Sequence, residues 1–566
     1  MGEPEVNGTE DWYESSNRSW GQVLAESVAR HPEQEIIVCG EVRLTYEKFY
    51  ERVQSFASGL LDIGVVRPQH TAIWMTNCPE WMVAQFSAYE IGSPLVPINT
   101  RMAIDEVSYS LKKSDTRTLI VGSRFIGPPE SGLERLKVLI PEVFEQDREQ
   151  LSIDKLPDLE RVIYFGEMTD TPSGAYNFAE LEETAFGSRV PQHVRNAVDP
   201  SDVCNLIFTS GTTGFPKAGM SMHRNNLAAM IEWVRRSDLR QGDRVYLGVP
   251  FATNFGCAYV SQVSVLAGST VIAHEVFEPA KALEAIQDEK VSWFPGAPTM
   301  YIMMLDDPAL ERVDIGSLRA AIVGGAPCPP ETIRAMKESM GFDFVVHCYG
   351  LSECGGLSTS TLIDDNIEKI ANTVGKKFDT VELQITDPLD GQAMSAGTQG
   401  EIWLRDVRPG SCVGKGYYNM PEATSKAITE DGWFRTGDLG VMGPGGYVSI
   451  TGRAGDMFLV GGYNVYPAEI EGVLHTHSSV KMAQVFGVPD QEKRLGEVGC
   501  ACIELKEGSE VDEGEIISFC REKLANYKAP RHVVFVAAEE FPLTASGKVR
   551  KFLLRVQIID RLRLKE

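Results

Sequence analysis

Residues 209–219 read TSGTTGFPKAG: three glycines, four hydroxyls, a proline and a lysine in eleven positions. Glycine lets a backbone come close to a ligand and leaves amides free, hydroxyls add donors, and lysine adds a point charge. A polyphosphate requires all three. The spacing Gly211-x-x-Gly214-x-Pro216-Lys217, followed by Ala218, is not that of a Walker A loop, which places four residues before Gly-Lys and then Ser or Thr. By composition alone, a flexible connection is the commoner use of such a stretch. Glu353, in YGLSE (349–353), sits in an otherwise apolar, glycine-rich stretch that does not suit a solvated acid. The nine histidines, among them His223, His274 and His347, show no metal-ligand spacing, and the eleven cysteines contain no CxxC pair. Structural zinc and a disulfide framework are therefore not expected, and a reducing compartment is.

These side chains need a scaffold, and the flanking sequence indicates one. DVCNLIF (202–208) precedes the loop as an apolar strand, and a helical run begins near Asn225 after it. Upstream, HTAIWM (70–75) and SPLVPI (93–98) flank the helical EWMVAQFSAYEIG (80–92), whose MVAQFSAYE stripe reads as core. ERVQSFASGLLDIG (51–64) is helical by apolar spacing and ends at a glycine. RVYLGV, STVIA, VSWF and RAAIV continue the βαβ rhythm of a parallel sheet covered by helices. Residues 122–160, charged and dotted with proline, read as a surface excursion. After about residue 380, short strands between Gly, Pro, Asp and Asn predict antiparallel sheet, and a compact α+β pattern follows GRAGD (452–456). The expected fold is α/β: a large N-terminal domain of α/β layers with a small β module, plus a small mobile α+β C-terminal domain. The boundaries read as a polar N-terminal extension 1–19, a body 20–453 and a lid 454–566.

The formal net charge of −25 excludes a general nucleic-acid binder but not a small anionic ligand, since local cations act over short range. MGEPEVNGTEDWYESS is acidic and polar, unlike a signal or transit peptide, and Val6 stands where myristoylation wants Ser or Thr. No run approaches the roughly 18 apolar residues of a membrane span. A cytoplasmic location is expected.

The loop resembles the phosphate loop of the adenylate-forming superfamily, which includes acyl- and aryl-CoA synthetases, peptide-synthetase adenylation domains and luciferases. GGAPCPP (324–330), YGLSE (349–353), WFRTGD (433–438), GRAGDMFLVGGYNVYPAEIE (452–471) and PLTASGKVRK (542–551) resemble its further motifs, in the family's order. The resemblance runs from about residue 20 to 555 and implies ATP, Mg2+ and coenzyme A as cofactors. Thr209, Ser210, Gly211, Thr212, Thr213, Gly214 and Lys217 would face the phosphates, and Glu353 would bind Mg2+. Gly325, Ala326 and Pro327 would lie across the adenine from Tyr349 and Gly350. Ser352 stands where threonine is usual and keeps the hydroxyl. Asp438 and Arg453 would hold the ribose, and Lys548 would bridge the substrate carboxylate and the α-phosphate. Lys548, Glu353 and Thr209 would be the catalytic set. The acyl pocket would draw on Phe251, Thr253, Asn254, Gly256 and Gly324, with Thr253 where many relatives carry histidine. Asn254, in place of an acid, argues against an α-amino acid substrate. Gly461, Gly462 and Tyr463 would lie on the coenzyme A side, and Gly455 at the hinge, where relatives carry Lys or Asp.

The resemblance implies an AMP-forming acyl-CoA synthetase acting on a hydrophobic fatty, aromatic or alicyclic acid, with a homodimer as the candidate assembly. Two alternatives stay open: transfer to a carrier-protein phosphopantetheine, and a nucleotide-binding scaffold that has lost catalysis.

Overall fold

The computed structural model describes residues 12–126, 130–209, 216–326, 328–388, 390–461, 463–491, 495–543 and 549–564. They divide into two compact units. One is drawn from the chain up to Thr209, from Pro216 to Leu383 and from Leu404 to Phe434; the other from Gln384 to Trp403 and from Arg435 onward. The expected boundary at 453/454 falls inside the second unit.

The first unit holds two sheets, both built on the expected βαβ rhythm. In a nine-stranded sheet, Glu35–Cys39, Thr270–Ala273, Arg244–Leu247, Trp293–Gly296, Ala320–Gly324 and Phe344–Tyr349 run parallel, with short antiparallel strands at both edges. In a seven-stranded sheet, His70–Trp74, Leu95–Pro97, Thr116–Gly122, Arg161–Phe165 and Val203–Thr209 are parallel, and Lys217–Met222 turns back antiparallel on Val203–Thr209. Strands buried on both faces need near-continuous apolar runs, which these segments supply. The helix Tyr46–Asp62 starts on Thr45, whose hydroxyl accepts the Lys48 N–H, and stops before Gly64 at φ +83°. The helix Pro79–Ile91 opens on proline, ends at Gly92 with φ +70°, and is buried almost all round. That places its stripe in the core, as read.

One stretch departs from the sequence reading. Among the described residues, the stretch 122–160 is not a surface excursion throughout. Gly132–Leu139 is a helix, and Leu136, Leu139, Ile140, Val143, Ile153, Leu156 and Leu159 are buried against the seven-stranded sheet's core. Charged residues between them hid apolar positions that meet on one side. Before the body, Trp12–Ser15 is a single helical turn, with the Arg408 guanidinium near the rings of Trp12 and Tyr13.

In the second unit, the antiparallel ladder between Phe434–Met442 and Val448–Arg453 sets Asp438 opposite Arg453. Val480–Pro489, Glu497–Leu505 and His532–Phe535 form a three-stranded sheet packed by the helices Pro467–His475, Glu513–Lys523 and Lys551–Arg561. Cys500 and Cys502 share one buried face of the middle strand. No helix among the described residues is long and apolar enough to cross a membrane.

Candidate active site

Register places the polar side chains of the first unit together. Thr209 lies opposite Lys217, and Gly219 lies opposite both Ile207 and, across its other edge, Tyr417. Opposed residues in an antiparallel pair share a face, and so do residues two apart along a strand. Thr209, Lys217, Gly219 and Tyr417 therefore look the same way, and Glu353 lies on that side. A Cβ on Gly219 would come within 3.3 Å of Glu353 Cγ, so the missing side chain makes room for the glutamate. Glu353 is only 6% exposed. Its Oε1 accepts from Thr209 Oγ1 at 3.2 Å and from the Tyr417 hydroxyl at 3.1 Å. Lys217 Nζ lies 5.0 Å from the Tyr417 ring centroid. The Glu353 backbone is also fixed: its carbonyl accepts the Gly414 N–H at 2.8 Å, and the neighbouring Ser352 carbonyl accepts the Ser221 hydroxyl at 2.8 Å.

Among the described residues, no three His, Cys, Asp or Glu side chains cluster as metal ligands. Glu353 instead offers one carboxylate, with Oε1 occupied by two hydroxyls. Mg2+ is held in this manner when one or two carboxylates share it with substrate phosphates and water. The donor set fits.

Gly325 and Tyr349 follow immediately after Gly324 and Cys348, which pair at the carboxyl ends of two neighbouring parallel strands. That end of an open α/β sheet is where ligands bind. Gly325 has φ +83° with open space where a Cβ would stand, and Ala326 beside it is exposed. Gly350 packs against the 356–357 backbone, where a Cβ would meet the Gly356 carbonyl at 1.9 Å.

The residues expected at the acyl pocket, Gly324 aside, lie along one turn and the helix after it. Phe251 is fully buried and stacks on Trp81 at 4.9 Å. Thr253 caps a short turn: its hydroxyl donates to the Pro250 carbonyl at 2.8 Å and accepts the Gly256 N–H at 3.1 Å. Gly256 is obligatory there, since a Cβ would lie 2.3 Å from the Pro250 carbonyl. Asn254 donates to the Tyr259 hydroxyl at 3.1 Å. Phe255 lies beside Gly324, 3.4 Å from its virtual Cβ, and packs edge-on against Tyr259.

In the second unit, Arg453 Nε donates to Asp438 Oδ1 at 2.8 Å, and Asp438 is buried. Gly461 has φ +58°, and Tyr463, 62% exposed, stacks on Tyr527 at 4.9 Å. Gly455 lies in the single 3₁₀ turn Ala454–Asp456. Ser210, Gly211, Thr212, Thr213, Gly214, Pro327, Gly462 and Lys548 lie outside the described residues. Tyr417 and Tyr259 are the site-adjacent residues that sequence reasoning missed. Neither sits in a quoted motif.

The AMP-binding enzyme model matches residues 24–418, and the AMP-binding enzyme C-terminal domain model matches residues 469–548. The chain belongs to the AMP-binding enzyme family. Within that family it is 35% identical over 566 residues to the medium-chain acyl-CoA ligase ACSF2, mitochondrial, of Bos taurus, covering 97% of this chain and 89% of that one. It is 36% identical over 518 residues to the 3-[(3aS,4S,7aS)-7a-methyl-1,5-dioxo-octahydro-1H-inden-4-yl]propanoyl:CoA ligase of Rhodococcus jostii (strain RHA1), covering 91% and 94%. The crystal structure of the anthranilate CoA ligase AuaEII with anthranoyl-AMP shares the fold, with a TM-score of 0.82 at 24% identity, covering 97% of this chain and 98% of that one. The adenylate-forming fold, a large N-terminal and a small C-terminal domain, is therefore the family's.

Proposed function

We propose that the protein is an AMP-forming acyl-CoA synthetase for uncharged, mainly hydrophobic carboxylic acids. The observation that carries the reading is the face shared by Thr209, Lys217 and Glu353, in a chain of this family. A carboxylic acid with a pKa of roughly 4–5 is ionised near pH 7, so its attack needs no general base. A carboxylate oxygen bonds to the α-phosphorus of ATP, the bond to the bridging oxygen breaks, and pyrophosphate leaves. The thiol sulfur of coenzyme A then attacks the acyl carbon, AMP departs, and the thiol proton passes to solvent. What such a site must supply is positioning and charge neutralisation on phosphoryl oxygens.

In this reading the Thr209–Lys217 stretch cradles the phosphates, with Ser210, Gly211, Thr212, Thr213 and Gly214 between. Glu353 holds Mg2+, which when bound neutralises phosphate charge. Gly325, Ala326 and Pro327 lie across the adenine from Tyr349 and Gly350, Ser352 adds a hydroxyl, and the Asp438 carboxylate accepts the ribose hydroxyls beside Arg453. Lys548 bridges the two reacting groups. Phe251, Thr253, Asn254, Gly256 and Gly324, with Phe255, border the acyl chain. Gly461, Gly462 and Tyr463 face the pantetheine, and the lid turns near Gly455 at the 453/454 boundary. The eleven free cysteines suit a reducing cytoplasm.

Purified protein is given ATP, Mg2+ and a panel of medium-chain, aromatic and alicyclic acids, with and without coenzyme A. Pyrophosphate is expected with the acid alone, and AMP plus acyl thioester once coenzyme A is added. ADP and phosphate as products overturn the reading, because they require attack at the γ-phosphate. Sedimentation of the same preparation reads whether it acts as a homodimer.

A further inference from the structure

Tyr417 stands outside the motifs quoted from the sequence, yet its side chain touches two groups of the proposed ATP site. Its hydroxyl donates to Glu353 Oε1 at 3.1 Å, and its ring faces the Lys217 ammonium at 5.0 Å. The backbone that carries the side chain is held in place by an isolated bridge. Residues 416–418 pair with Lys217–Met222 through Met220 N–H to the Gly416 carbonyl and Tyr418 N–H to the Ala218 carbonyl, both at 2.9 Å. The Tyr417 N–H donates to Thr424 Oγ1 at 2.9 Å, and the Tyr418 hydroxyl donates to Asp115 Oδ2 at 3.0 Å.

We propose that Tyr417 is a positioning residue for the metal–nucleotide complex: its hydroxyl aims the Glu353 carboxylate, and its ring face steadies the Lys217 ammonium. The proposal rests on the reading of Glu353 and Lys217 given above. Thr209 and Tyr417 reach the same carboxylate oxygen from two separate segments, and two converging donors fix the plane of a carboxyl group that one donor leaves free to turn. A ligand carboxylate held by such outer partners binds its cation more tightly than a free one. Lysine is a flexible four-carbon chain, and an aromatic face limits where its charge rests. The two effects can be separated, since phenylalanine keeps the ring and loses the hydroxyl while leucine loses both.

The test is calorimetric titration of α,β-methylene-ATP, which cannot be cleaved at the reacting bond, into the full-length protein, first in EDTA and then over a series of Mg2+ concentrations. Tyr417→Phe is expected to bind the analogue in EDTA as the unaltered protein does, and to need roughly tenfold more Mg2+ for half of the metal-dependent gain. Tyr417→Leu is expected to show the same metal requirement plus roughly threefold weaker binding in EDTA. Tyr418→Phe, which breaks the bond to Asp115 and leaves Tyr417 its hydroxyl and ring, is expected to match the unaltered protein in both. Glu353→Gln tells the possible failures apart. If it leaves the Mg2+ requirement unchanged, the reading of Glu353 and the proposal fall together. If it raises the requirement while Tyr417→Phe does not, the proposal alone falls. A Tyr418→Phe shift as large as that of Tyr417→Phe also overturns it, because the effect then belongs to the segment and not to the hydroxyl.

Discussion

His223 illustrates how much a single buried side chain costs and contributes. It opens the helix His223–Arg236, is 1% exposed, and its Nδ1 accepts the Trp20 N–H at 3.2 Å. Burial pushes its pKa down to about 4, with Asp202 and Asp199 opposing the shift. In the unfolded chain the same ring titrates near 6.5. Above 6.5 both states are neutral at this position and its full contribution is present. As pH falls from 6.5 toward 4, the unfolded chain takes up a proton that the folded one refuses, and stability drops by about 1.4 kcal/mol per pH unit. His223→Gln retains an acceptor for Trp20 without the titration. Urea unfolding is therefore expected to show a flatter loss of stability for the variant between pH 6.5 and 4.5; equal slopes would remove His223 as a source of acid sensitivity. At this scale the sequence indicated which residue types the chemistry needs, but not which neighbour each would meet. The Tyr417–Glu353 contact, 64 positions apart, carries no local signature.

At the scale of elements, the segment at Gly414 and Lys415 bridges the turn Ser352–Cys354 and the strand Lys217–Met222. The Gly414 N–H donates to the Glu353 carbonyl, and the Lys415 N–H donates to the Met220 carbonyl at 3.1 Å. A Cβ at position 414 would stand 2.1 Å from the Met220 carbonyl oxygen and 3.0 Å from that of Glu353. Both obstacles are backbone, so a side chain here must lever the strand away from the turn. Gly414→Ala is expected to lower adenylation at least about tenfold, or roughly 1.4 kcal/mol of barrier, together with the melting temperature. Gly472→Ala is the contrasting case. Nothing lies within 4 Å of its virtual Cβ in the helix Pro467–His475. It is expected to stabilise by about 0.5–1 kcal/mol through helix propensity and to leave pyrophosphate exchange untouched. Equal behaviour of the two variants in pyrophosphate exchange and thermal melting would refute the packing argument.

For the whole molecule, the proposed two-step reaction asks the C-terminal segment to take two orientations, with Gly455 as the pivot. The residue sits in a single 3₁₀ turn after Val448–Arg453, and its φ is not positive. Proline, fixed near φ −65°, suits 3₁₀ geometry but forbids the wider excursions open to glycine. A folded Gly455→Pro variant is expected to keep pyrophosphate exchange while thioester formation from isolated acyl-adenylate falls at least about tenfold, the signature of a hinge acting by gating. Both half-reactions at the unaltered rate would take Gly455 out of the hinge.

The sequence by itself determined the order and type of nearly every element that positions the site, because periods of 2 and 3.6 residues and glycine stops are local properties. It also determined the family, since its motif strings occur in order along almost the whole chain. Tertiary structure alone decided which faces met. It buried seven apolar residues between Leu136 and Leu159, which are diluted by charge in the linear reading. It turned Phe251 inward onto Trp81 and left Phe255 beside Gly324. It also paired 416–418 with the strand after the phosphate loop, bringing Tyr417 to Glu353. The reason is common to all three. Register and face between segments distant in the chain are set by what each must bury against the other, and no local period records that partner.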